Sequence, residues 1–307
     1  MTAGPGNAPR LAFIGFGEAG PLIARGLLDA GAASVAAYDV LVNDPAAGDA
    51  WAAKAAAVPA TPCSDPAQAV GDADLVFSTV TSERALEAAA AAAPHLRAGQ
   101  FFLDLNSCSP AKKVKAAVAV EAASPARYVD VAVMDTVPGR GHRVPMLLAG
   151  PAAPEAADRL TALGMTVRVV GDTVGQASTI KMARSVFMKG IEAILCESLV
   201  AADRAGVADQ VLASIQSTFP GLDWRQLATY HMGRMALHGR RRAIEMDSVA
   251  DTLRDLGLEP FTAEGTGRRQ MWVAELGLRD RFGSTGPETL EDFLAAVAGR
   301  NQPPANG

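Results

Sequence analysis

The chain has few cysteines, no excess of basic residues and no long apolar run, and each absence excludes something. Cys63, Cys108 and Cys196 are odd in number, widely spaced and without metal-ligand spacing. They are expected to be buried free thiols in a reducing compartment, with no bound metal. A formal net charge of -5 over 307 residues removes the usual electrostatic reason for binding nucleic acid, and the basic cluster is the short "HGRRR" at 238–242. No apolar run approaches the ~20 residues that cross a bilayer. The opening "MTAGPGNAPR" lacks the apolar core of a secretory signal or an anchor. A cytoplasmic protein without a membrane or nucleic-acid partner is therefore expected.

What is present is a soluble, globular composition, 49% apolar and 20% charged, long enough for one large domain or two ordinary ones. From Leu11 onward, short apolar runs alternate with helix-like segments: "LAFIGFG", "SVAAYD", "ADLVFSTV", "QFFLDLN", "RYVDVAV" and "VPMLLAG" as strands, "EAGPLIARGLLDAG", "SERALEAAAAAAPHL" and "SPAKKVKAAVAVEAA" as crossover helices. The runs lack strict polar alternation, as strands buried on both faces should. The order predicts an α/β, Rossmann-type, doubly wound and mostly parallel sheet. "MTVRVVG" adds a strand up to Gly171, after which the pattern is helical. Residues 174–205 can form one helix of ~32 residues and ~48 Å. The expected division is a tail at 1–9, a dinucleotide-binding domain at 10–172, an all-helical substrate and dimerisation domain at 173–299 that begins with this long helix, and a tail at 300–307. Such a helix has more apolar surface than one small domain covers, which predicts a homodimer.

"GFGEAG" places Gly15, Gly17 and Gly20 in G-x-G-x-x-G spacing after the first strand and at the opening of a helix. The glycines serve a tight turn, close approach of backbone to a pyrophosphate and helix-to-strand packing, with the anion at the helix N-terminus. Asp39 follows 24 residues after Gly15, at the end of the second strand, where a carboxylate accepts the adenosine ribose hydroxyls. The cofactor set is Gly15, Phe16, Gly17, Glu18, Ala19, Gly20, Asp39 and Val80, the last closing "ADLVFSTV". No Arg or Lys stands between Asp39 and Lys54 to neutralise a 2′-phosphate, so NAD is favoured over NADP.

Asn106 and Ser107 follow a strand whose carboxyl end opens at the crevice where such sheets bind ligands. They can bind a substrate carboxylate or hydroxyl, or cap the next helix before Ser109 and Pro110. Lys181 interrupts a mostly apolar helical run, with Ser185 one turn on and Arg184 beside it. On residue type alone, such a lysine is more often snorkelling or paired than catalytic.

Four stretches in order, "GFGEAG", "DLNSCSP" at 104–110, "VDVAVMDTVPGRGHRVPMLLAG" at 129–150 and "GDTVGQASTIKMARS" at 171–185, carry a resemblance over nearly the whole chain. The chain resembles the β-hydroxyacid dehydrogenase family, which includes 3-hydroxyisobutyrate and 6-phosphogluconate dehydrogenases. The family pattern G-x-x-G-x-x-x-K is met by Gly171, Gly175 and Lys181 with looser spacing, and Ser185 stands where an Asn four residues later is usual. The Asn106-Ser107 pair is similar to the phosphogluconate branch, but the glutamate that branch carries seven residues after the lysine is Met188 here. "IKMARS" and "HGRRRAIEM" are similar to a phosphogluconate-dehydrogenase-like subgroup.

The resemblance implies hydride transfer between a nicotinamide cofactor and a carboxylate-bearing 3-hydroxy acid or its oxo acid, with Lys181 as general acid/base and Asn106, Ser107, Ser185 and Arg184 at the substrate. A lysine near its reference pKa of ~10.4 needs a shift of about three units, ~4 kcal/mol, to act near neutrality. The loop "PGRGHRVP" at 138–145, with Arg140, His142 and Arg143, aligns with a family loop near the substrate. His142 there either steers an anion or is solvated. His231, His238 and Arg240 to Arg242 are either an acidic-substrate clamp or a solvated, salt-bridged helix start. Cys108 has no evident histidine base for nucleophilic work. The rival readings are an imine reductase and a non-catalytic NAD-binding regulator.

Overall fold

The first strands show why the sequence alternates as it does. Leu11 and Phe13 point to one face of the sheet and Ala12 and Ile14 to the other, and all four are buried. A strand covered on both faces has no polar side to display. The structure, a computed structural model, describes residues 8–300; the tails expected at 1–9 and 300–307 lie almost wholly outside them. In order come β1 (Arg10–Ile14), α1 (Ala19–Asp29), β2 (Ser34–Tyr38), a 3-10 turn (Val40–Asn43), α2 (Gly48–Ala57), β3 (Ala60–Pro62), α3 (Pro66–Val70), β4 (Leu75–Ser78), α4 (Ala85–Ala92), β5 (Phe101–Asp104), α5 (Pro110–Ala123), β6 (Arg127–Val133), β7 (Met146–Ala149), α6 (Ala153–Ala162) and β8 (Val167–Gly171).

Among the described residues these strands form an eight-stranded sheet in the order β3-β2-β1-β4-β5-β6-β7-β8. Every neighbouring pair is parallel except β6 with β7. The segment between those two strands holds only a 3-10 turn, Gly141–Arg143, and no crossover helix, so the chain returns antiparallel. The sheet is Rossmann-type and mostly parallel, as the alternation predicts. On one face Phe13 stacks on Phe77 with ring centroids 4.9 Å apart. On the other, α5 packs through Lys113, Ala116, Ala117 and Val120. The sequence pattern does not reveal α2, β3, α3 or α6. The Ala-, Asp- and Pro-rich stretch from 43 to 72 has little periodicity, and β3 is only 3 residues long.

The chain separates into two compact units, Met1–Lys181 and Met182–Gly307, divided within one helix. That helix is α7 (Gln176–Arg204), with 29 residues, or ~43 Å at 1.5 Å each. The second unit continues with α8 (Ala208–Thr218), α9 (Trp224–Asp255), α10 (Phe261–Glu275), α11 (Leu278–Phe282) and α12 (Leu290–Arg300). The single 32-residue α9 runs unbroken through Gly239. Gly239 marks a close approach instead of a break. A Cβ there would sit 2.7 Å from the Gln270 carbonyl of α10, whose own sequence shows no clear helical signal. No helix among the described residues is long and apolar enough to cross a membrane.

Candidate active site

The glycine turn after β1 is held from three strands. The Gly15 N–H donates to the Tyr38 carbonyl at 2.8 Å, and the Thr79 hydroxyl donates to the Gly15 carbonyl at 2.6 Å. Gly15 has φ +86°, and a Cβ on it would lie 2.6 Å from Val80 Cγ1, so both backbone and packing require glycine. Gly17 faces open space, with nothing within 4 Å of where its Cβ would stand. The helix α1 that follows has no side-chain cap at its N-terminus. The result is a helix start without a side-chain cap behind an open glycine, suited to an anion.

Asp39 sits beside this turn, its Oδ2 accepting from the Phe16 N–H at 2.7 Å and its Oδ1 from the Leu41 N–H at 3.1 Å. The carboxylate thus shapes the loop, and each oxygen keeps a lone pair beyond these two bonds. Lys54, from α2, donates to the Gly17 carbonyl at 3.1 Å. Sequence spacing had set Lys54 beyond the motif; α2 folds it back onto the loop.

The second part of the site is the turn after β5. Asn106 is buried, and its side chain works inward: Oδ1 accepts from the Val80 N–H at 2.7 Å and Nδ2 donates to the Ser78 hydroxyl at 2.9 Å. What remains for a ligand is one N–H and one lone pair. Ser107 is half-buried and makes no side-chain hydrogen bond among the described residues, so its hydroxyl is uncommitted. The cap of α5 is Ser109, which accepts from the Lys112 N–H at 3.4 Å. Capping therefore falls to neither Asn106 nor Ser107.

Beneath the turn lies a fully buried ionic cluster with no counterpart in the expectations above. Lys113 Nζ donates to the Asp104 carbonyl at 2.6 Å, to Asp104 Oδ1 at 3.0 Å and to the Val131 carbonyl at 3.4 Å, and lies 3.6 Å from Asp130 Oδ1. The Tyr128 hydroxyl donates to Asp104 Oδ2 at 2.6 Å, and the Asn106 N–H to Asp104 Oδ1 at 2.9 Å. Burial alone would lower the Lys113 pKa, but Asp104, Cys108 and Asp130 outweigh it and the net direction is upward. Burial, then Asp104, pushes Tyr128 well above its ordinary value. A carboxylate inside each of two apolar strands, "FFLD" and "YVDVAV", was the available signal, because a buried charge demands a partner.

Asp130 reaches the helix that carries Lys181. Its Oδ2 accepts from the N–H of Gly175, the N–H of Ser178 and the Ser178 hydroxyl, each at 3.1 Å. Lys181 follows three residues later in α7 and is half-buried. Ser185 lies four residues beyond it, in the second unit, and accepts from Lys189 at 3.5 Å; Lys189 in turn pairs with Glu245 at 3.0 Å. Arg184 is exposed.

The other singled-out residues are placed as follows. His142 is buried, where a side chain on Gly26 of α1 would collide with its ring, and burial then Arg143 lower its pKa. It neither steers an anion nor sits in solvent. Arg140 pairs with Asp135 at 2.9 Å, and Arg143 is exposed. In the second unit Arg242 forms a two-point pair with buried Glu192, which also contacts His231 Nδ1 at 3.3 Å and accepts from Gln270 Nε2 at 2.6 Å. Burial would raise the Glu192 pKa, but His231, Arg242 and Gln270 turn it downward. Arg242 and His231 are thereby committed to an internal ion cluster, not to a clamp. Cys108 is fully buried and its thiol is pushed up to about 11 by desolvation, which rules out an easy thiolate.

The family described as the NAD binding domain of 6-phosphogluconate dehydrogenase matches residues 10–171, more than half of the chain. The chain belongs to the β-hydroxyacid dehydrogenase family. A second match, to a domain of unknown function, spans residues 202–273. A conserved hypothetical protein from Sinorhizobium meliloti 1021 is 42% identical with a TM-score of 0.78, over 96% of this chain and 97% of that one. The conserved protein MTH1747, described as structurally similar to 3-hydroxyacid dehydrogenases, is 31% identical with a TM-score of 0.71, over 87% of this chain and 97% of its own. The 3-hydroxyisobutyrate dehydrogenase of Mycobacterium tuberculosis shares the fold at 17% identity and a TM-score of 0.68, over 96% of this chain and 100% of that one. The β-hydroxyacid dehydrogenase fold fits a dinucleotide here. The open face of Gly17 and the uncapped start of α1 would receive the pyrophosphate, and Asp39 the adenosine ribose.

Proposed function

We propose that this chain is an NAD-dependent oxidoreductase that interconverts a 3-hydroxy acid and its oxo acid, with Lys181 as general acid/base. The observation that carries the reading is the link through Asp130. One buried cluster holds both the Asn106–Ser107 turn and the first turn of the Lys181 helix. The two groups that must meet a substrate are therefore built on a common frame.

Bound nicotinamide supplies the hydride acceptor or donor. In the oxidative direction the neutral Lys181 amine takes the hydroxyl proton as the carbinol C–H bond gives up its hydride. In reduction the ammonium returns that proton to the forming alkoxide. Ser107 offers its hydroxyl to the substrate carboxylate, Asn106 its remaining N–H, and Ser185 a further donor along the helix. Arg184 adds positive charge at long range. Asp39 accepts the ribose hydroxyls and disfavours a 2′-phosphate, which supports NAD over NADP. The length of α7 supports a homodimer, and the cysteine and charge pattern a cytoplasmic location.

The test is nicotinamide absorbance with NAD and NADP over a panel of 3-hydroxy acids, sugar acids, their oxo forms and cyclic imines. Turnover on at least one 3-hydroxy acid is expected. Turnover confined to cyclic imines, or NADH binding with no turnover on any panel member, would contradict the reading.

A further inference from the structure

Asp104 and Asp130 are paired in register on the parallel neighbours β5 and β6. Both lie on the face that α5 covers, and both are fully buried. Two carboxylates side by side in a dry sheet repel each other, and the arrangement stands only because Lys113 is inserted from α5. A sheet needs no such device for its own stability, since apolar residues at all three positions would pack with less cost. The hydrogen bonds show where the charge is used.

Lys113 spends its three N–H groups on Asp104 and the Val131 carbonyl. Asp130 Oδ1 is left without a hydrogen bond among the described residues, held by the ammonium at 3.6 Å. The other oxygen, Oδ2, is held by the amino end of α7: two backbone N–H groups, and the Ser178 hydroxyl, whose one hydrogen it shares with the Gly175 carbonyl at 3.0 Å. Gly175 at φ +103° delivers the first of these N–H groups, a backbone conformation that other residues rarely adopt. Asp130 thus caps α7 from the middle of the sheet, across 45 residues of sequence, with a charge that opposes the helix dipole three residues before Lys181. The groups facing it are Lys113 from α5, Asp104 from β5 and Ser178 from α7, and Tyr128 joins through Asp104.

We propose that Asp130 is a positioning residue for Lys181, anchoring the first turn of α7 and setting the field at the amine, with Lys113 tying that anchor to the Asn106 turn. This rests on the reading of Lys181 as the proton-transfer group, and its test needs no substrate. The full chain is reductively methylated with isotope-labelled formaldehyde, and the Lys181 resonance, assigned by its loss in Lys181→Arg, is titrated by NMR. In Asp130→Asn the shape is kept and the negative charge at the helix start is lost, so the Lys181 midpoint should fall by about half a unit. Asp130→Glu should bring it back toward wild type. If Asp130→Asn only loosens the fold, amide exchange at Gly175 and Ser178 will speed up while the Lys181 midpoint stays within about 0.1 unit. That result, or a rise, overturns the proposal.

Should Asp130→Asn fail to fold, Ser178→Ala removes one of the three bonds. It should raise exchange at Gly175 about five-fold and displace the Lys181 resonance; faster exchange with an unmoved resonance overturns the proposal. Loss of dehydrogenase turnover on every substrate would contradict the proposed function and leave this titration intact, so the two failures are distinguishable.

Discussion

Asp104 and Asp130 stand opposite one another on adjacent strands, and Lys113 separates them with no exposed surface on any of the three side chains. Removing the cation leaves two carboxylates buried without compensation. Lys113→Met should destabilise the protein by about 3–5 kcal/mol in urea denaturation. A loss below about 1 kcal/mol would mean that water enters the cluster.

The same lysine sets an alkaline limit. Its folded pKa lies above the ordinary 10.5, so its contribution is complete below that pH and is lost as pH rises through the folded value. Denaturation midpoints of wild type should begin to fall as pH rises above 10.5, and Lys113→Met should lack this part of the decline.

Glu192 sets an acid limit in the helical unit. Its folded pKa lies below the ordinary 4.5, so its contribution is present above that pH and is lost as pH falls through the folded value. Glu192→Gln leaves Arg242 and His231 without their anion and should cost about 3 kcal/mol at pH 7, with the difference from wild type shrinking in acid. A difference that stays constant below pH 4.5 would contradict the assignment.

The glycine loop separates folding from binding. Gly15→Ala forces a Cβ to 2.6 Å from Val80 at positive φ and should lower stability by about 1–3 kcal/mol. Gly17→Ala meets nothing within 4 Å, so its melting temperature should match wild type while NADH affinity, read by fluorescence, drops about ten-fold or more. Asp39→Ser combined with Val40→Arg should raise NADPH affinity relative to NADH, and Lys54→Ala should weaken both. Unchanged preference in the double variant would remove Asp39 as the selector.

The sheet and the cofactor loop were legible because their signals are local: apolar runs, glycine spacing and an acidic residue at a strand end. The inward role of Asn106 was not, since its partners Ser78 and Val80 are 28 and 26 residues away. His142 illustrates the same limit. Its loop reads either as steering an anion or as solvated, yet a helix with Gly26 at the contact makes room to bury the ring. In sequence a glycine such as Gly239 can mark either a helix end or close packing inside a helix, and only the position of α10 decides between them. The proposal for Lys181 comes through family resemblance, while the bonds of Asp130 to the start of its helix leave no local signal in the sequence.

In the proposed reaction Lys181 moves the proton. Its most direct test is kcat/KM on the best 3-hydroxy acid for wild type and Lys181→Ala, with NADH affinity measured in both. Lys181→Ala should lose about 10²–10⁴-fold in kcat/KM, the range a positioned acid or base supplies, with NADH affinity unchanged. Equal turnover in the two proteins would contradict it.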